Sequence, residues 1–360
     1  MNKRIRLADL AAQYAKLAAD IDAAVARVLA SGRYVNGPET EAFEREFAAF
    51  TGAAHAVAVS NGTDALALLL AAHGVGPGDD VVLPANTFRA TAEAVHFVGA
   101  RPVLCDVNAD TLLVDGASVA RAATPQMRAV MAVHLFGYLA PVGDIADAAE
   151  GAIVLEDAAQ AHGALLNGRH AGTLAQGGAF SFFPAKSLGA AGDAGAILFD
   201  DELLAAKARS LRNHGRGTHE TLGRNARMDE IQAAILRVKL PHLRSWIDRR
   251  RAIEKTYRDA FAGREDIRFL PAIAGTTPAP LNTVIRCTDR DAVARTLAEN
   301  GVETGVHYPV PIHLLEPYRA LGYAAGDFPN AEAACREILS LPNHPQMTDE
   351  DVDRVIAALS

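Results

Sequence analysis

The sequence predicts an α/β fold: a large, mostly parallel sheet covered by helices, followed by a smaller C-terminal α/β unit. Two observations carry this reading. Short apolar runs such as Val81–Leu83, Arg101–Cys105 and Ile153–Leu155 alternate with segments of helical periodicity as far as Phe199. That alternation is the pattern of parallel strands joined by helical crossovers. After a proline-rich stretch, Pro271–Pro280, a second and shorter strand–helix alternation begins. A chain of 360 residues has room for two such units. It divides into a large segment, 1–240, and a linking helix with the small unit, 241–360.

Composition removes several function classes. Half the residues are apolar, enough for a sizeable core, and the net charge of −8 is opposite to that of a nucleic-acid binder. No stretch is long and apolar enough to span a membrane. The opening MNKRIRLADLAAQY is basic without an apolar core, so a signal peptide is not expected. Cys105, Cys287 and Cys335 are scattered and odd in number, which suits a reducing cytoplasm and no metal or disulfide framework.

Taken in order, Ile21–Leu29 has helical spacing and stops at Ser31-Gly32. A turn at Tyr34–Glu39 leads into a helix on which Phe43, Phe47 and Phe50 share a face, as core or subunit contacts. Ala56–Val59 reads as a strand, and Ser60-Asn61-Gly62-Thr63-Asp64 leads from it into the helix Ala65–His73. The free N–H groups of that helix start make an anion site by construction. An ordinary N-cap explains the same residues and, taken alone, explains them better. Gly74–Asp80 has the glycines of a dinucleotide fingerprint but precedes the strand Val81–Leu83 instead of opening a helix, so it is a turn. Phe88 follows that strand, and a helix runs over Arg89–Val98. Arg128–Leu135 is a further strand, at whose end His134 and Tyr138 fit either core or substrate-facing roles.

Helices follow over Glu202–Arg212, Asp229–Lys239 and from Pro241 towards Phe261, with Glu230, Arg237 and Arg249–Arg251 read as a solvated helical face. In the small unit, Thr283–Cys287 and Val302–Val306 read as strands flanking the helix Asp291–Asn300. His307 and His313 bracket the loop HYPVPIH. Two intervening prolines and the lack of a nearby acid make it a rigid loop, not a metal site. The helix Asp351–Leu359 closes the chain.

The chemistry concentrates in Gly178–Phe199, where Lys186 stands between the apolar run Ala179–Phe183 and the glycine turn Gly189–Gly195. A solvated surface lysine fits this stretch. So does a desolvated amine, neutral enough to condense with an aldehyde as a Schiff base. The strand Ile153–Asp157 breaks the tie. It delivers Glu156 and Asp157 at its C-terminal end, where open α/β sheets place ligands. Asp157 precedes Lys186 by 29 residues, room for a connection between neighbouring strands. Pyridoxal phosphate (PLP) needs both groups: a lysine for its aldehyde and a carboxylate at its ring nitrogen, which makes the ring an electron sink.

EDAAQAHGA from Glu156 and FSFFPAKSLGAAGDAGA from Phe180 together resemble the DegT/DnrJ/EryC1/StrS family of PLP-dependent sugar aminotransferases. The resemblance implies the aspartate-aminotransferase fold (fold type I) and a homodimer with active sites at the subunit interface. It makes Lys186 the PLP-binding lysine and Asp157 the partner of the ring nitrogen. It further implies that Gly62, Thr63 and Ser181 cradle the phosphate, that Phe88 stacks on the ring and that Gln160 binds its hydroxyl. Asn225 would reach the neighbouring subunit's phosphate, and His307, Tyr308 and His313 would line the substrate mouth. L-glutamate is the expected donor. A nucleotide-linked deoxysugar is the expected acceptor, with a dTDP-3-keto-6-deoxyhexose ahead of a 4-keto sugar or a cyclitol ketone. Two other readings are a sugar dehydratase, which would carry histidine in place of Lys186, and a non-enzymatic PLP-binding regulator.

Overall fold

The computed structural model describes residues 4–217 and 221–360. Its first half alternates helices and strands: α1 (Leu10–Ser31), α2 (Pro38–Thr51), β1 (His55–Val59), α3 (Gly62–Ala72), β2 (Asp80–Pro84), α4 (Ala90–Phe97) and β3 (Arg101–Cys105). Then come α5 (Gly116–Ala122), β4 (Met127–Val133), α6 (Val142–Ala148) and β5 (Ile153–Asp157). Two short pairs, β6 (Leu165–Leu166) and β7 (Arg169–His170), precede β8 (Gly178–Ser181) and β9 (Gly195–Phe199). Helices α7 (Glu202–Leu211), α8 (Glu230–Lys239) and α9 (Leu243–Ala260) follow.

The large sheet has the order β1-β9-β8-β5-β4-β2-β3. Only β9 runs against the rest, so the sheet is mostly parallel, as the alternation predicts. Each strand serves two cores because successive side chains point to opposite faces. In β1, Val57 and Val59 join α3, α4 and α7 on one face, while Ala56 and Ala58 join Phe43, Phe47 and α8 on the other. Phe43, Phe47, Phe180 and Phe182 meet edge to face with centroids 5.2–5.3 Å apart, so the phenylalanine stripe of α2 is core.

The last third contains β10 (Ile267–Phe269), β11 (Thr276–Thr277), β12 (Thr283–Cys287), α10 (Arg290–Glu299), α11 (Pro329–Glu337), β13 (Ile338–Leu341) and α12 (Asp349–Ala357). Its antiparallel sheet is β10-β12-β13. The expected strand Val302–Val306 does not form. Val302 bridges Ile5 and Gly305 bridges Ser340, so the segment changes partner after one residue pair and no ladder propagates. The place beside β12 belongs to β13, with Thr283 opposite Leu341. The solvated helical face is also corrected at two positions. Glu230 is buried and accepts from the N–H groups of Gly37, Glu39 and Thr40, capping α2 from 190 or more residues away. Arg250 is buried against the carbonyls of Leu281 and Asn343. Among the described residues no helix is long and apolar enough to cross a membrane.

Candidate active site

One cavity of about 430 Å³ opens at the C-terminal ends of the parallel strands and brings most of the expected residues together: Gly62, Thr63, Phe88, Asp157, Gln160, Ser181, Lys186, His307 and Tyr308. This is the edge of an open sheet at which the strand ends diverge and leave a crevice. Leu7 and Ala8 from the N-terminal segment and Leu281 and Asn282 before β12 complete the wall. Two expected residues lie elsewhere. His313 is buried, with Nε2 3.1 Å from Glu332 Oε1 and its ring edge-on to Phe328, so it packs the loop instead of facing the cavity. Asn225 is exposed, bridged to Asn213, and its Oδ1 accepts from Arg227 Nε at 3.1 Å.

The start of α3 forms a candidate anion site. The Asn61 side chain accepts from Asp64 N at 2.8 Å and caps the helix. The N–H groups of Gly62 and Thr63 then have no acceptor among the described residues and face the cavity. A Cβ placed on Gly62 would sit 2.6 Å from Ser181 Cβ, so glycine is what lets the helix start approach β8. Gly195 serves the same approach from below, where a Cβ would come within 2.4 Å of Asn61 O. Free amides, a helix dipole and the Ser181 hydroxyl converge here, which fits a phosphate.

The tandem acids of β5 separate by the period of a strand. Glu156 points away from the cavity and accepts from Gly172, Leu174 and Ala175 N–H groups at 2.6, 2.6 and 2.8 Å. It also pairs with His134 Nε2 at 2.8 Å; His134 Nδ1 takes the Ala140 N–H at 3.1 Å, so Nε2 carries the hydrogen. Glu156 is therefore a structural clamp. Asp157 lies in the cavity, 6% exposed. Its Oδ1 accepts from Ala159 N at 3.2 Å and its Oδ2 from Thr91 Oγ1 at 2.8 Å. Burial pushes its carboxyl up, against the pull of these bonds and of Lys186.

Lys186 follows a turn in which its N–H bonds Phe183 O at 2.8 Å, bringing the side chain over the cavity opposite Asp157. Burial pulls its ammonium down to about 8, with the charge of Asp157 pulling the other way. A pH dependence follows. Only the neutral amine attacks an aldehyde, so capture of PLP by the cofactor-free chain accelerates as pH rises through about 8. In Asp157→Asn the half-maximal pH moves down, because the charge that holds the proton on Lys186 is gone. Stopped-flow absorbance against pH checks this, and a pH-independent rate would contradict it.

Phe88 stands 45% exposed at this space with its ring 5.3 Å from that of Tyr308, an aromatic plate on the cavity wall. Gln160 Oε1 accepts from the Phe136 N–H at 2.6 Å, and its Nε2 donates to Tyr308 OH at 3.1 Å. Sequence reasoning missed Thr91, which reaches Asp157 from α4, and Thr87, which bonds Thr91 from the bend before that helix; their four-residue spacing was the one available signal. It also missed Leu7, Ala8 and Asn282, which no local pattern marks.

A desolvated lysine, a buried carboxylate at a strand end and the free N–H groups of a helix start around one aromatic plate fit a PLP-dependent enzyme of the aspartate-aminotransferase fold. The chain belongs to the DegT/DnrJ/EryC1/StrS aminotransferase family, whose model matches residues 15–360. The dTDP-3-amino-3,4,6-trideoxy-alpha-D-glucose transaminase of Streptomyces venezuelae is 43% identical over 361 residues, covering 99% of this chain and 95% of that one. The erythromycin biosynthesis sensory transduction protein EryC1 of Saccharopolyspora erythraea is 45% identical over 356 residues, covering 98% and 97%. The crystal structure of Streptomyces venezuelae DesV in complex with a ketimine intermediate superposes with a TM-score of 0.97 at 43% identity, covering 99% of this chain and 98% of that one. The protein is an aminotransferase that uses PLP.

Proposed function

We propose that the protein moves an amino group from L-glutamate to the C3 ketone of a dTDP-linked 3-keto-6-deoxyhexose. The observation that carries the transfer chemistry is the convergence of Lys186 and Asp157 on one cavity. What supports the acceptor is the full-length likeness to a transaminase named for a 3-amino dTDP-sugar. When bound, PLP supplies an electron sink for the carbanion left by proton loss. Lys186 Nζ would hold the cofactor's aldehyde at rest and, once the donor has displaced it, would serve as the base for the donor's α-proton. Asp157 would hold the proton on the ring nitrogen. Gly62, Thr63 and Ser181 would bind the phosphate, and Phe88 would stack on the ring. Gln160 retains one Nε2 hydrogen beyond its bond to Tyr308 for the ring hydroxyl.

His307 and Tyr308 form the wall facing Lys186. His307 Nδ1 is tied to Ser340 Oγ at 2.8 Å, which leaves Nε2 to face the sugar. His313 supports this loop from behind through Glu332. The working assembly in this reading is a homodimer, with the exposed Asn225 reaching the partner's cofactor phosphate. Its three cysteines, all buried free thiols, support a cytoplasmic location. The name of the EryC1 relative raises a regulatory role as a second reading, but a bystander cofactor would not need the desolvated amine that Lys186 presents.

The test loads the enzyme with pyridoxamine phosphate and washes the donor away. A 3-keto dTDP-sugar returns the visible PLP band within the turnover time, and the 4-keto isomer at least about tenfold more slowly. Rapid return with only the 4-keto sugar or a cyclitol ketone overturns the acceptor assignment. No return with any ketone, alongside intact PLP binding, would favour the regulator.

A further inference from the structure

Asp157 faces a conflict. Burial favours its neutral form, whereas a protonated ring nitrogen is best matched by a carboxylate. The groups packed around it are Thr91 from α4, the Ala159 N–H, His134 at the end of β4, Lys186 after β8 and Tyr308 from the C-terminal loop. Lys186 commits its amine to the cofactor and is then no longer a free ammonium. What remains are hydrogen-bond donors.

Thr91 is wholly buried, and its Oγ1 lies 2.8 Å from Asp157 Oδ2 and 2.9 Å from Thr87 Oγ1. A carboxylate only accepts, so Thr91 donates to Asp157. Thr91 then has only lone pairs for Thr87, whose hydroxyl must donate in turn. The direction Thr87 to Thr91 to Asp157 is set by the charge at its end, and each link polarises the next. The two threonines lie four residues apart, Thr87 in the bend after β2 and Thr91 in the first turn of α4, and they bracket Phe88, so a single segment holds the ring's face and the acid at its edge.

We propose that Thr91, supported by Thr87, is a positioning residue whose hydroxyl relay keeps Asp157 ionised and aimed at the cofactor's ring nitrogen. The proposal rests on Asp157 being the ring-nitrogen partner, and two measurements separate the two claims. The first is the ¹³C carboxyl titration of Asp157 in the cofactor-free chain, its resonance assigned by its loss in Asp157→Asn. Thr91→Val, which keeps the shape and removes the hydroxyl, binds the Asp157 proton about tenfold more tightly; Thr91→Ser titrates like the parent. The second is PLP affinity by absorbance, which weakens in Thr91→Val by about the same factor and recovers in Thr91→Ser.

An unshifted titration in Thr91→Val, or equal shifts in Thr91→Val and Thr91→Ser, overturns the relay while leaving Asp157's role intact. A shifted titration with unchanged PLP affinity overturns Asp157 as ring-nitrogen partner, and the proposal with it. If Thr91→Val does not fold, Thr87→Val carries the same test. It shifts the titration in the same direction by a smaller factor, and no shift there overturns the relay.

Discussion

Replacing Lys186 with alanine abolishes transamination, by about ten-thousand-fold or more, because one side chain is both the anchor for the aldehyde and the base that moves the α-proton. The fold survives. The hydrogen bond of Lys186 to the rest of the chain runs from the backbone N–H to Phe183 O, which alanine keeps. Circular dichroism and thermal melting of Lys186→Ala therefore match the parent, while added PLP no longer produces the spectral shift of a lysine-bound aldehyde. Near-normal turnover in this variant would end the assignment.

Asp157→Asn lowers turnover on the order of a hundredfold or more, since asparagine cannot hold the ring-nitrogen proton by charge and a charge-assisted bond in a dry site is worth a few kcal/mol. Stability moves the other way. The folded-state pKa of Asp157 is raised, so the folded chain holds that proton longer than the unfolded one. Stability of the cofactor-free enzyme thus falls as pH rises from the ordinary carboxyl range through the raised value. Asp157→Asn removes that loss and melts higher at neutral pH. Its neighbour behaves oppositely: Glu156→Gln turns an amide donor towards the Gly172 and His134 donors and destabilises by about 2–4 kcal/mol, with PLP binding retained in the folded fraction. Kinetics and melts on the two variants distinguish catalyst from clamp, and full activity in Asp157→Asn would pass the role to another acid.

Much of the site was legible because its parts are local. The glycine turn, the strand ending in two acids and the Asn61–Thr63 helix start each need only neighbouring residues, and residue type already restricts their chemistry. Which acid would serve a cofactor was legible only through the resemblance. In the structure the alternation of β5, once β4 and β8 have fixed its two faces, turns Asp157 to the cavity and Glu156 away from it. Glu230 and Arg250 looked like solvated charges because helical spacing carries no record of what a helix will pack against. Each is buried by partners far away in sequence.

By itself, then, the sequence determined the alternation of strands and helices and the chemical types gathered at the strand ends. Helix caps, glycine approaches and strand runs are short-range matters of sterics and hydrogen bonding. The tertiary structure alone decided what depended on distant pairing. It gave the place beside β12 to Ile338–Leu341 over Val302–Val306, since a strand persists only where a neighbour continues the ladder. It turned His313 into the core on Phe328 while leaving His307 and Tyr308 on the cavity. It also set Thr91 against Asp157, a contact spanning 66 residues that exists only because α4 and β5 meet at the same edge of the sheet, with Thr87 bonded to Thr91 behind it.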